Sequence, residues 1–266
     1  MRDFNKWLLP VLVVLALLAV VGYARADGWK IADMNRQIDQ TNFLVNKGCS
    51  GTLIDTNRNY VLTAAHCVTS QYETVEKDKV DKDGKVTKEK IQIVRPGTVS
   101  QEYYAGPSIV QTNSYVYKVV DTDKALDLAL LKVQTKLPAT QAAVLACTDP
   151  IRGDTVYAVG NSYAVLYSTV TKGIVSSVER SYRDLQLAGS LGDLTDNGEH
   201  GLVQHSAPIA PGNSGGALYN VRGNFIGVNV RGTAAGGFSF SVPLSDIKAF
   251  LKTNGAADLF ARCGAK

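Results

Sequence analysis

Three short segments carry side chains that could do covalent chemistry together. Gly212-Asn213-Ser214-Gly215-Gly216 holds a serine between glycines, Thr63-Ala64-Ala65-His66-Cys67 holds a histidine, and Asp127-Leu128-Ala129-Leu130-Leu131 opens on a carboxylate. A serine hydroxyl keeps its proton at neutral pH and becomes a nucleophile only with a base within hydrogen-bond reach. Histidine, with an ordinary pKa of about 6.5, takes that proton and returns it. A carboxylate beside the imidazole fixes its tautomer and stabilises the imidazolium formed during reaction. Asp127 stands at the mouth of an apolar run, where burial of its neighbours would strengthen its field on the ring. The glycines around Ser214 allow backbone conformations closed to other residues. The amides of Gly212 and Ser214 could then converge as an oxyanion hole, where one lost donor costs about 2.7 to 4 kcal/mol of activation free energy. Glycine and serine also mark ordinary turns; three such segments in the order His, Asp, Ser carry the assignment.

Positioning these groups falls to strands. Most of the chain is short runs rich in Val, Ile, Tyr and Thr between Gly, Asn and Asp clusters, the pattern of an all-β barrel or sandwich. The candidates are Gly51–Ile54, Tyr60–Thr63, Tyr115–Val120, Leu128–Lys132, Thr155–Val159, Ser168–Val178, Ala217–Tyr219, Phe225–Val230 and Phe238–Val242, with Asn57-Arg58-Asn59 as the turn between the first two. The clearest helix is Asp246–Thr253, with Ser245 as N-cap and Gly255 just past its end. Glu73–Lys90 is dense in charges of both signs around Asp83-Gly84 and reads as a solvated loop or exposed hairpin. Arg183–His200 reads as a polar, mobile loop, and the junction between halves falls near Lys136–Pro150. Tyr103, Tyr104, Tyr115 and Tyr117 alternate with polar residues and read as strand packing.

Composition is ordinary for a globular chain of 266 residues, 45% hydrophobic and 20% charged. Half of the net charge of +4 comes from Arg2, Lys6 and Arg25 against Asp3, so no clustered basic face argues for nucleic acid. Those residues frame a targeting segment: basic Arg2 and Lys6, an apolar run from Trp7 to Val21 and Ala24-Arg25-Ala26 at the cleavage-type positions. Cleavage after Ala26 is expected, which N-terminal sequencing of the mature chain reads directly, because about 15 apolar residues fall short of the roughly 20 of a spanning helix. A membrane partner enters only if the segment stays uncleaved. Four cysteines suit an exported protein, periplasmic or secreted, and they allow three pairings. Cys49 and Cys67 bracket a compact unit ending at His66, while Cys147 and Cys263 lie near the ends of the second half, so 49–67 and 147–263 are the expected bridges. The alternative for the second pair is two free, buried thiols. The shorter loop should contribute about 3 kcal/mol. His200 and His205 lack partners at metal-ligand spacing, and no metal or organic cofactor is called for.

Thr63–Cys67, Asp127–Val133 and Pro211–Leu218 resemble the trypsin-like serine proteases, and more closely their HtrA/Deg branch. Further likeness lies in Tyr157–Asn161, Thr171–Ser176, Gln204 with Ala207-Pro208-Ile209, Ile226–Asn229 and Phe238–Pro243. The resemblance runs from about Gly48 to Leu251. It implies two antiparallel six-stranded β-barrels, at about 40–135 and 150–243, followed by the short helix at about 245–254. Residues 27–266 would form the protease domain, with the active site between the barrels. The implied reaction is peptide-bond hydrolysis through an acyl-enzyme, with polypeptides as partners.

Two departures qualify the likeness. Position 213 is Asn, where digestive-type members carry an Asp that receives a freed N-terminus, so activation by that salt bridge is not expected. The sequence also runs only a short way past the expected terminal helix, so a PDZ domain like that of HtrA proteins is not expected. By the same resemblance Pro208, Ile209, Ala210, Val228, Asn229 and Val230 would wall the primary pocket, with Pro208 where trypsin is acidic. A pocket without a buried carboxylate offers Arg or Lys nothing to pair with, so cleavage after small or medium apolar residues is expected. The alternative from another class is a catalytically silent protease-fold binding module that uses the charged Glu73–Lys90 segment.

Overall fold

In the computed structural model, residues 33–263 are described apart from 35, 69–71, 81, 83–85, 95, 107–108, 188–200 and 234–236. The chain closes two barrels of six strands each. The first is built from β1 (Asn42–Val45), β2 (Cys49–Asp55), β3 (Tyr60–Thr63), β6 (Thr98–Gly106), β7 (Ile109–Asp123) and β8 (Leu128–Val133), in the order β1-β2-β3-β8-β7-β6. A separate two-stranded sheet holds β4 (Tyr72–Val80) and β5 (Val86–Val94). The second barrel takes β9 (Thr155–Ser162), β10 (Leu166–Arg180), β11 (Leu202–His205), β12 (Ala217–Asn220), β13 (Phe225–Gly232) and β14 (Ser239–Pro243), in the order β10-β11-β14-β13-β12-β9.

The period of β8 explains how the barrels meet. Ala129, Leu131 and Val133 fill the first barrel with Phe43, Leu53 and Val61. Leu128 and Leu130, on the opposite face, join Leu62 in the buried cluster that contains Val156, Val159 and Val228 of the second barrel. A strand covered on both faces reads as a continuous apolar run, which is why Leu128–Leu131 shows no alternation. Lys132, next on the outer face, is exposed, so the cover ends there. Each such leucine contributes about 1.5–3 kcal/mol on burial.

Three strands stand outside the sequence candidates. Strands β1 and β11 are four residues long and buried throughout, too short and too uniform to show a period. Strand β6 is largely polar, with Tyr103 and Tyr104 its strand-like residues, and its bounds are set by pairing with β7 and β1. The charged segment is an exposed hairpin whose charges are its register: Glu76 faces Lys90, Lys77 faces Glu89 and Asp78 faces Lys88. Opposite charges across an antiparallel pair stabilise it, and like charges would not. Asp83-Gly84 lies outside the described residues. The stretch expected to begin a polar loop at Arg183 instead starts as a helix, Tyr182–Leu187. Ser181 and Asp184 form its capping box, with Asp184 N–H donating to Ser181 Oγ (3.2 Å) and Ser181 N–H to Asp184 Oδ2 (3.0 Å). The remainder, 188–200 with His200, lies outside the described residues.

The terminal helix spans Leu244–Thr253 and its N-cap is Pro243, not Ser245. Ser245 is already inside the helix, and its N–H donates to Asp149 Oδ1 (3.0 Å), so the cap comes from a residue distant in sequence. At the other end Gly255 N–H reaches the Lys252 carbonyl (3.2 Å) and Ala256 N–H the Leu251 carbonyl (2.9 Å), the paired bonds of a Schellman motif. Disulfides join Cys49 to Cys67 and Cys147 to Cys263, with Cα separations of 5.9 and 5.1 Å.

Candidate active site

Pairing of β3 with β8, with Thr63 opposite Ala129, brings the residues after one strand against the residue before the other. His66 sits in a short 3-10 turn, Ala65–Val68, and Asp127 in the left-handed region at φ +55°. That conformation aims the Asp127 main chain and side chain at the same turn. Its carbonyl accepts from Ala65 N–H (3.1 Å), Oδ1 from His66 N–H (3.0 Å), and Oδ2 lies 2.7 Å from His66 Nδ1. An ionised carboxylate only accepts, so Nδ1 carries the ring proton and Nε2 is left with its lone pair. Asp127 is buried, whereas 39% of the His66 side chain is exposed. The Cys49–Cys67 bridge pins the turn from behind, and Cys67 Sγ lies 3.6 Å from the Ser214 carbonyl oxygen. Although His66 and the two sulfurs lie within 4.8 Å of one another, both sulfurs are spent in the disulfide and offer no thiolate.

Ser214 follows a tight turn. In Ala210-Pro211-Gly212-Asn213 proline takes the second position and Gly212, at φ +94°, the third, while Asn213 N–H closes on the Ala210 carbonyl (3.0 Å). This is a type II turn, which requires positive φ at its third residue. The surrounding backbone is pinned: Gly215 N–H donates to the Asn229 carbonyl (2.7 Å), Asn229 N–H to the Gly216 carbonyl (2.8 Å) and Ser50 N–H to the Ser214 carbonyl (2.8 Å). Ser50 Oγ holds the Gly212 carbonyl at 2.7 Å. The amides of Gly212 and Ser214 have no acceptor among the described residues, so both donors remain available. Asn213 is buried and accepts from Ser162 Oγ (2.9 Å).

His66 and Ser214 open into one cleft of about 590 Å³. Of the expected pocket residues, Ile209, Ala210 and Val230 line it. Pro208 does not; it is exposed, and its carbonyl accepts from Thr171 Oγ1 (2.7 Å). Val228 and Asn229 are also outside it; both are fully buried, Val228 in the main core cluster. Tyr163, Pro211, Arg231, Gly232 and Thr233 complete the lining. Ser214 Oγ donates to the Val230 carbonyl (3.3 Å).

The family model of the trypsin-like peptidase domain matches residues 49–228. The chain belongs to that family. Among curated relatives it is 37% identical over 139 residues to the mitochondrial serine protease HTRA2 of Bos taurus, covering 52% of this chain and 28% of that protein. It is 38% identical over 141 residues to the serine protease HTRA4 of Mus musculus, covering 52% and 26%. The chain thus spans under a third of the length of these curated relatives. Among solved structures it resembles an HtrA-type protease, AlgW with a decapeptide, at a TM-score of 0.54 and 24% identity, covering 77% of this chain and 51% of that one. That likeness bears on the fold.

In this trypsin-like domain the serine turn rests on polar residues whose spacing gives no signal. Ser50 Oγ also accepts from Asn161 N–H (2.7 Å), and Asn161 Nδ2 donates to the Phe43 carbonyl (2.9 Å), tying turn, β1 and β9 together. Asn229 Nδ2 donates to the carbonyl of Ala217 (2.9 Å), and its Oδ1 accepts from Ser241 Oγ (2.9 Å). Ser241 Oγ lies 3.1 Å from His205 Nε2, and since its own proton is given to Asn229, the ring is the donor. Burial pushes the His205 imidazole down from 6.5 to about 4. Between those values the unfolded chain holds the extra proton. Stability present above pH 6.5 is therefore lost as pH falls toward 4, by about 3 kcal/mol at about 1.4 kcal/mol per pH unit. Denaturant unfolding between pH 7.5 and 4 should show this slope in the wild type and flatten it in His205→Gln; equal slopes would place the acid sensitivity elsewhere.

Proposed function

We propose that the chain is an exported serine endopeptidase in which Ser214 is the nucleophile, His66 the general base and Asp127 the residue that orients it. The observation that carries this reading is the pair of Asp127 contacts to the His66 backbone and ring in the cleft that also holds Ser214. The ring proton held on Nδ1 leaves Nε2 to accept the Ser214 proton once the hydroxyl turns from the Val230 carbonyl. Attack on a peptide carbonyl then places negative charge on its oxygen, where the amides of Gly212 and Ser214 stabilise it. His66 returns the proton to the leaving amine, and water repeats the sequence in reverse on the acyl-enzyme. Ile209, Ala210 and Val230 supply the apolar wall that favours cleavage after small or medium apolar residues. The names of the curated relatives, serine proteases, and the decapeptide on the solved neighbour support polypeptide substrates.

Export is proposed on the basic-apolar-small pattern of residues 1–26, which lie outside the described residues, and on two disulfides of the kind that persist in oxidising compartments. No helix among the described residues is long and apolar enough to cross a membrane. Labelling with a fluorophosphonate probe between about pH 6 and 9 tests the reaction. The wild type should label at a single serine and Ser214→Ala should not. An unlabelled wild type would favour the silent binding module.

A further inference from the structure

The strand that flanks Ser214 carries an irregularity whose effect falls inside the cleft. In the β13–β14 ladder Asn229 faces Ser241 and the next pair is Arg231 with Phe240, so two residues of β13 advance against one of β14. A bulge of this kind re-aims side chains and is common beside active sites. Here Val228, Asn229 and Val230 are all buried, and Val230 together with the half-buried Arg231 that follows it also borders the cleft. The Val230 carbonyl is the atom that Ser214 Oγ touches, which makes Arg231 the next residue along from the nucleophile's own contact.

Arg231 is the only permanently charged side chain among the described residues lining this cleft, and none of those residues is a carboxylate. Its neighbours there include Ile209, Pro211 and Val230, whose apolar surfaces lower the local dielectric and lengthen the reach of a fixed cation. A guanidinium offers a planar fork of donors that matches a carboxylate bidentately. We infer that Arg231 is a specificity-determining residue that selects peptides carrying an acidic side chain close to the scissile bond. The inference rests on the proposed cleft of Ser214 and His66, and it adds to the apolar wall a demand for one carboxylate beside the apolar residue.

Peptides differing only as Glu against Gln, or Asp against Asn, at each position from four before to two after the scissile bond provide the test. Wild-type kcat/KM should favour the acidic member at one of these positions by about 10- to 100-fold, the range for a charge-assisted hydrogen bond, and added salt should shrink that ratio. Arg231→Gln should abolish the preference and Arg231→Glu should turn it toward Lys. Affinity of the same peptide pairs for the Ser214→Ala protein, which needs no turnover, should show the same ratio. A wild type that treats every acidic and amide pair alike, or a preference that survives in Arg231→Gln, overturns the inference. Absent labelling of the wild type counts against the serine mechanism instead, and the binding ratio still decides the role of Arg231.

Discussion

Asp127→Asn is expected to lower kcat by about four orders of magnitude, the loss that the same exchange produces in the Ser-His-Asp template of this superfamily, while the fold stays intact. The reason lies in which atoms Asp127 serves. Its Oδ1 accepts from the His66 backbone N–H and its Oδ2 faces Nδ1 at 2.7 Å. Asparagine keeps one acceptor for the backbone N–H, so the turn Ala65–Val68 is held. The other position becomes an NH2 donor, against which Nδ1 must present its lone pair. The ring proton then moves to Nε2, the atom that has to receive the Ser214 proton. Substrate affinity should change little, because Asp127 is buried and does not line the cleft. Steady-state kinetics together with a thermal melt check this. Less than a tenfold loss of kcat with an unchanged melt would mean that Asp127 does not control the tautomer of His66.

Gly212→Ala should have the second largest effect, about 100- to 1,000-fold in kcat, the range for loss of one oxyanion donor. At φ +94° an L side chain is already strained. A Cβ there would also stand 2.3 Å from the Asn161 carbonyl oxygen and 2.8 Å from the Ala164 amide nitrogen. Those atoms cannot give way cheaply, because Asn161 is held by Ser50, Phe43 and Asn42. The turn must move instead, and the Gly212 amide moves with it. Gly153→Ala is the matched control: its φ is +93°, yet nothing lies within 4 Å of the added Cβ. It should cost stability through backbone strain alone and leave kcat unchanged. Equal kcat in both variants would remove Gly212 from the oxyanion hole.

How much of this was legible in the sequence depends on how local each feature is. Strands β3 and β8 show in the text because Tyr60–Leu62 and Leu128–Leu131 are continuous apolar runs. The charged hairpin shows because charges of both signs crowd one short segment, and three of its cross-strand pairs set opposite charges face to face. Strands β1 and β11 do not show, since four buried residues have no period, and the bounds of β6 are set by the two strands it pairs with. The helix starts at Leu244, two residues before the start the local cap signal indicates, for a similar reason. Ser245 satisfies the local rule for a cap, but Asp149 supplies the bond from 96 residues away.

The sequence by itself determined which serine, histidine and aspartate stand in that order, where glycine permits a turn with positive φ, and that a continuous apolar run follows Asp127. Those are properties of residue type and near-neighbour spacing, and both are written in the chain. Tertiary structure alone decided which groups share the cleft. Val228 and Asn229 leave it, Val230 and Arg231 enter it, and Ser50, Asn161, Ser241 and His205 become supports of the serine turn. The physical reason is that strand register and one bulge set which way each side chain faces, and register is fixed by pairing between residues far apart in sequence.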